Sequence, residues 1–280
     1  MNNTFNFKRF GLAFRKDLIE NGKRYLLMFV TLFGLIAVIS IYITWNYYDN
    51  HSRTPDYLDI NKDLLTILSF VFMGAGIWFA STFTNPMNSK LRRISYLVSP
   101  ASNLEKYLVR WIITTLGFII AFFVALWIAD ALKVAICTVK FPDAGIQFFD
   151  ISKLYGPDNK YNQYYVMPKS VFYLFLSLYF LLQSIFLLGS IIWDKASFIK
   201  TFSASTALII AYIFICRWTI LLFYGDLNGY GNVLSSFRIF ENMSEVQSIS
   251  FSSIMMAVFT LVFWVLAFFR LKESEIIKRF

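Results

Sequence analysis

The chain has 280 residues, of which 58% are hydrophobic and only 15% charged, and its mean hydropathy is +0.57. These values exclude an ordinary soluble globular domain. The formal net charge of +9 would suggest nucleic-acid binding in a soluble protein. Here the cations lie in short stretches between long apolar runs, so we expect a lipid bilayer and no nucleic acid as the partner.

A short amphipathic segment precedes the first apolar run. A helix over residues 5–21 would carry four large apolar side chains on one face, at three- and four-residue spacing: Phe7, Phe10, Phe14 and Leu18. Basic side chains lie away from this apolar stripe. The pattern predicts an in-plane helix anchored in the cytoplasmic leaflet. A basic stretch that only orients the first span is the alternative.

Six apolar runs follow, each about the ~20 residues that a helix needs to cross ~30 Å of hydrocarbon. They cover approximately residues 25–45, 64–84, 108–129, 171–193, 203–224 and 251–269. We therefore predict an all-α membrane protein with six transmembrane helices in a single transmembrane domain over residues 1–280. Arg217 is the one charged residue well inside a run.

The distribution of Lys and Arg predicts the topology. If the N-terminus is cytoplasmic and the segments alternate, the inner segments carry about twice as many cations as the outer ones. The positive-inside rule then places both termini in the cytoplasm. The sequence thus predicts a multi-pass protein of the cytoplasmic membrane.

The inner loop over residues 85–107 is basic and rich in Ser, Asn and Pro. Ser102 and Glu105 have the spacing of a capping box, and Pro100 just upstream favours a turn into a new helix. We therefore expect a short helical element here, close to the membrane and followed by the third span. The alternative is that the charges of this loop only enforce topology.

The outer side offers fewer signals. The loop over residues 131–169 is rich in aromatic side chains, which predicts an ordered extracytoplasmic cap. Asp130 ends the predicted third span and is expected to be solvated. Arg217 lies about two turns from the outer end of the fifth span. It either snorkels to the headgroups, or it lines an internal path or pairs with Asp130 or Asp226.

No enzymatic pattern is present in the sequence. There is no GxxxxGK[ST] phosphate loop and no HExxH, and the single histidine is His51. Cys137 and Cys216 form no CxxC pair. We predict no catalytic residue, cofactor or metal site in this chain.

Two stretches resemble a known family. The sequence LVSPASNLEKYLVR over residues 97–110 resembles the P-[AV]-S-x-x-E-K-[YF] stretch in the first inner loop of bacterial ABC-2-type transporter permeases. The sequence FKRFGLAFRKDLIENGKRYL over residues 7–26 resembles their elbow helix. The resemblance implies one half of an exporter in a bacterial inner membrane, paired with a second permease copy or a homologous permease. It also implies a separate cytosolic ATP-binding subunit.

In such a permease the first inner loop would dock the ATPase. The docking residues expected in this chain are Lys90, Arg92, Arg93, Ser102, Glu105 and Lys106. Ser102 would cap a stiff helix, and the charged residues would govern the choice of partner. The transported substrate stays open. Two other functions fit the same layout, an ion-coupled secondary carrier and a non-transporting membrane anchor or assembly protein. The scarcity of carboxylates inside the spans argues against the carrier.

Overall fold

The computed structural model describes residues 5–50, 57–84, 100–158, 165–193, 195–224 and 244–277. The α-helices in these ranges are α1 (Phe7–Asn50), α2 (Tyr57–Ser81), α3 (Asn103–Ile112), α4 (Phe118–Lys140), α5 (Lys169–Ile192), α6 (Ser197–Tyr224) and α7 (Glu245–Ile277). A π-helical turn, Ile113–Gly117, joins α3 to α4, and the three together form the third span. Six helical segments of the described chain are long and apolar enough to cross a membrane. This agrees with the predicted all-α membrane class.

The first span and the N-terminal amphipathic segment form one helix. α1 runs for 44 residues without a break, about 66 Å at a rise of 1.5 Å per residue. That is about twice the ~30 Å thickness of the hydrocarbon core, so part of α1 must lie outside it. The helix continues through Gly22, and Asn21 just before it donates from Nδ2 to the carbonyl and carboxylate of Asp17, one turn earlier. The in-plane orientation of residues 5–21 stays a prediction.

The third span is longer than predicted. α4 continues to Lys140, eleven residues past the predicted end at 129, and ends just before Pro142. Asp130 is therefore inside the helix, where it is 4% exposed and lies 2.5 Å from the Nζ atom of Lys133. The expectation that Asp130 is solvated is wrong, because the i,i+3 cation and the outer loop cover it. The carboxylate also accepts from the backbone N–H of Phe149 in that loop.

The outer segment after α4 is ordered where the structure describes it. It contains 3₁₀ turns at Pro142–Ala144 and Ile151–Leu154 and a short parallel pair, β1 (Tyr155–Gly156) with β2 (Met167–Pro168). Asp150 and Asn61 exchange two hydrogen bonds, of 2.9 and 3.3 Å, which tie this segment to the start of α2. These contacts agree with the predicted order of this segment, and its extracytoplasmic location stays a prediction.

Two carboxylates of the outer segment are held by hydrogen bonds. The hydroxyl and backbone N–H of Ser152 both donate to Asp150 and hold the pKa of that carboxyl below its usual range. The backbone N–H of Ser170 donates to Asp158 and likewise lowers its pKa. Because Pro168 offers no side-chain cap to α5, Asp158 supplies one from the loop.

Two clusters of buried side chains hold the bundle together. One joins α1, α2, α4 and α5 and includes an aromatic group of Phe72, Phe118, Phe122 and Tyr179. The other joins the end of α2 to α3, α5 and α7, around Phe83, Tyr107 and Leu187. Small residues allow the closest approaches, as expected in lipid.

The fourth and fifth spans, α5 and α6, pack as a helical hairpin. A close contact lies at Gly189, where a Cβ atom would overlap the hydroxyl of Thr201. Hydrogen bonds from Thr84 to the Ser190 carbonyl and from Ser197 to the Ser81 carbonyl tie the hairpin to the end of α2. The C-terminal ends of α2 and α5 and the start of α6 therefore form one packed unit.

Candidate functional site

The start of α3 is fixed by the predicted capping box. The Ser102 hydroxyl accepts from the backbone N–H of Glu105, and the Glu105 carboxylate accepts from the backbone N–H of Ser102 at 2.9 Å. The two orphan donors at this helix end are therefore satisfied reciprocally. This prediction from the sequence is confirmed.

The same carboxylate also binds the N-terminal helix. Glu105 accepts from the backbone N–H of Asn6 at 2.8 Å and from the guanidinium of Arg9 at 3.0 Å. Its side chain is 0% exposed, whereas that of Arg9 is 30% exposed. Glu105 therefore joins the first turn of α1 to the first turn of α3, across 96 residues of sequence.

A second ion pair lies further along the same two helices, with its acidic residue in α1 and its basic residue in α3. Arg110 of α3 lies 3.8 Å from the carboxylate of Asp17 in α1, and it donates to the carbonyl of Phe83 just after α2. Tyr25 and Asn21 donate to the same Asp17 carboxylate. Arg110 is almost wholly buried. We call the contacts of Glu105 and Arg110 with α1 the α1–α3 junction.

Arg110 and Asp17 were not predicted as site residues from the sequence. Arg110 was interpreted as one of the inner cations that set the topology. The signal was local: Asp17, Asn21 and Tyr25 recur at four-residue spacing and so share a face of α1. What the sequence did not supply was the partner for that face, which is 93 positions away from Asp17 by residue number.

The structure describes three of the six predicted docking residues. Ser102 and Glu105 are brought together in the capping box, and Lys106 follows them in α3 with its side chain buried. Glu105 faces α1 and so contributes no charge to an outer surface. The cations Lys90, Arg92 and Arg93 lie outside the described residues. The role of all six in docking stays a prediction.

The apolar stripe of α1 is partly open to its surroundings. Phe7 is 82% exposed and Leu18 is also exposed, whereas Phe10 and Phe14 are half-buried with stacked rings 6.4 Å apart. Exposed aromatic side chains at the end of a membrane helix suit the lipid interface. Anchoring by this stripe stays a prediction.

Arg217 lies on the most exposed helix of the described chain. From position 206 to position 215 every side chain of α6 is exposed, and so is Arg217 itself. The structure does not pair Arg217 with Asp130, which binds Lys133 instead. Asp226 lies outside the described residues. A role for Arg217 along a transport path stays a prediction.

A cluster of polar side chains lies inside the bundle, between α7, α5 and the π-helical turn. Gln183, which is fully buried, donates to the Thr115 hydroxyl at 3.0 Å and accepts from the Trp264 indole at 3.1 Å. Tyr107 donates to the carbonyl of Trp264. One turn before Gln183, the hydroxyl of Tyr179 is buried with no hydrogen-bond partner. This row of polar groups sets the register of three spans.

No group of His, Cys, Asp and Glu in the described ranges could hold a metal ion. In comparisons with known proteins, no family model, curated protein or solved structure matches the chain. The functional conclusion therefore depends on the residues and their geometry.

Proposed function

We propose that the chain is the membrane-spanning permease subunit of an ABC-type exporter, of the ABC-2 kind, driven by a separate cytosolic ATPase. The observation that carries the proposal is the α1–α3 junction. It lies directly after the basic segment predicted to dock the ATPase. Two ion pairs of opposite sense, Arg9–Glu105 and Asp17–Arg110, tie the first and third spans together at this place.

The contacts of the junction support a role in coupling. Glu105 is buried and accepts from three donors, two of which belong to Asn6 and Arg9, so a movement of the start of α3 away from α1 would break these bonds. Arg110 also links the end of α2 to the junction, because it donates to the carbonyl of Phe83. A force applied to residues 85–106 would thus reach three spans together. A permease needs such a linkage between its docking segment and its spans.

The second element of the proposal is a pair of permeases. α6 is covered by its own chain near its start, at Thr201, and is exposed on every side over positions 206–215. Lipid can cover apolar side chains, but Arg217 at membrane depth is costly there unless protein or water receives it. A second copy packed on α6 would cover this helix. Cysteines placed singly along positions 206–215, with Cys137 and Cys216 replaced, should cross-link two copies on one helical face.

Co-purification with the ATPase tests the docking surface. Changing Arg92 and Arg93 to Glu should lower recovery of an ATPase encoded beside this gene, and ATP-dependent transport, while membrane insertion is unchanged. The matched control reverses Lys195 and Lys200, two exposed cations of another inner segment. Equal recovery of the ATPase by both variants would refute the docking surface. A neighbouring gene without a phosphate loop would favour the anchor or the carrier.

A further inference from the structure

A deep apolar groove runs along the outside of the first three spans. Its volume is 890 Å³, and its walls come from α1, α2 and the third span at the π-helical turn. That volume lies within the ~300–1,000 Å³ of typical ligand sites. Small residues, among them Gly74, Ala75 and Ala121, line part of it, and Trp78 and Ile120 line it with exposed side chains. In a bilayer such a groove must be filled by hydrocarbon or by protein.

The charges at one end of the groove indicate what fills it. The groove begins at Phe14 and Leu18, and the exposed Arg15 follows Phe14 directly. Arg24 lines a small recess that shares Tyr25 with the groove. Arg15 and Arg24, nine residues apart on α1, place positive charge beside the N-terminal part of the groove, while the body of the groove is apolar.

The acidic residues of this segment do not cancel that charge. Asp17 is in an ion pair with Arg110, and Glu20 is in one with Lys16. A basic end joined to an apolar body complements an amphiphile with an anionic headgroup. A helix from a second copy would fill the apolar body but would gain nothing from the cations.

We infer that the groove is a binding site for an anionic phospholipid of the cytoplasmic leaflet, with one acyl chain between α1, α2 and the third span and the headgroup near Arg15 and Arg24. The site would keep its lipid through purification and would prefer phosphatidylglycerol to phosphatidylcholine. This inference needs only that the chain lies in a membrane with its N-terminus in the cytoplasm, and it holds for any transport function.

Tryptophan quenching measures occupancy of the groove. The full chain, purified in mild detergent, is titrated with phosphatidylglycerol or phosphatidylcholine carrying brominated acyl chains, which quench indoles on contact. We expect a saturable quenching component with phosphatidylglycerol that is lost in Trp78→Phe. The component should be kept in Trp127→Phe, which removes an exposed indole of α4 outside the groove.

Filling the groove provides the matched test. A Cβ atom at Gly74 would meet nothing within 4 Å, and the same holds for Gly34, which does not line the groove. Gly74→Leu should weaken lipid binding about tenfold, the effect of excluding about two methylene groups, and Gly34→Leu should leave it unchanged. If Gly74→Leu does not fold, Ala121→Leu fills the groove from another span.

The headgroup preference is tested separately. The double change Arg15→Gln and Arg24→Gln should remove the preference for phosphatidylglycerol, whereas Lys200→Gln should keep it. Equal binding of both lipids by the wild type, or equal binding by the Gly74 and Gly34 variants, would overturn the inference. If Gly74→Leu instead converts a dimer to a monomer and leaves lipid binding intact, the groove is an interface between copies and the lipid site is refuted.

Discussion

Replacing Glu105 with alanine would test the α1–α3 junction most directly. The carboxylate accepts from the backbone N–H groups of Asn6 and Ser102 and from the guanidinium of Arg9. Two neutral donors contribute about 1 kcal/mol each, and a charge-assisted bond about 1.5–3 kcal/mol. Arg9 is partly in water, so its contribution belongs at the lower end. We expect the free energy of unfolding to fall by about 3.5 kcal/mol.

The measurement is an SDS titration of the purified protein from mild detergent. Glu105→Gln should lose about half as much stability, because the amide keeps one acceptor oxygen but cannot accept from both ends of the site. Glu273→Ala is the matched control, since that glutamate forms an exposed i,i+3 pair with Arg270 and such pairs contribute little. If Glu105→Ala loses no more stability than Glu273→Ala, Glu105 does not join the two helices in solution.

Three further changes test other parts of the fold. Gly189→Val should destabilise the hairpin of α5 and α6, because the new side chain overlaps the hydroxyl of Thr201. Gly34→Val should cost only helix propensity, and thermal unfolding of the two variants is compared. Gln183→Leu should cost about 1–2 kcal/mol in the same SDS titration, since the buried indole it serves loses its acceptor, and no loss would mean that the polar group does not bridge the spans. Because the pKa of Asp150 is lowered, its contribution to stability is present above its ordinary pKa of about 4 and is lost as the pH falls below that value. The apparent Tm should therefore fall less between pH 5 and pH 3 in Ser152→Ala than in the wild type. An equal fall of Tm in the two proteins would contradict this.

The sequence predicted those features that depend on neighbouring residues. The six spans follow from hydropathy, and the capping box follows from Ser102 and Glu105 at their fixed spacing. The long-range half of the Glu105 site could not be predicted. Its partners Asn6 and Arg9 are 99 and 96 positions away, and nothing local to Glu105 distinguishes a docking charge from a buried acceptor.

Asp130 shows a different limit. The expectation of a solvated residue came from ending the third span at the last uninterrupted apolar position. Lys133 follows at a helical i,i+3 spacing, and the next helix breaker is Pro142, so the continuation of α4 was readable in the chain. The backbone donor from Phe149 was not, because it depends on how the outer loop folds back.

The distance in sequence between Arg9 and Glu105 has a consequence for biosynthesis. At about 5–20 residues per second, roughly 5–20 s pass between the emergence of Arg9 from the ribosome and that of its partner. During this interval the first two spans enter the membrane while the opening turns of α1 have neither their carboxylate nor their full packing. A chain that stalls before the third span would expose these aromatic and basic turns at the membrane surface. The first turns of α1 therefore gain these partners only after about the first 105 residues have been made.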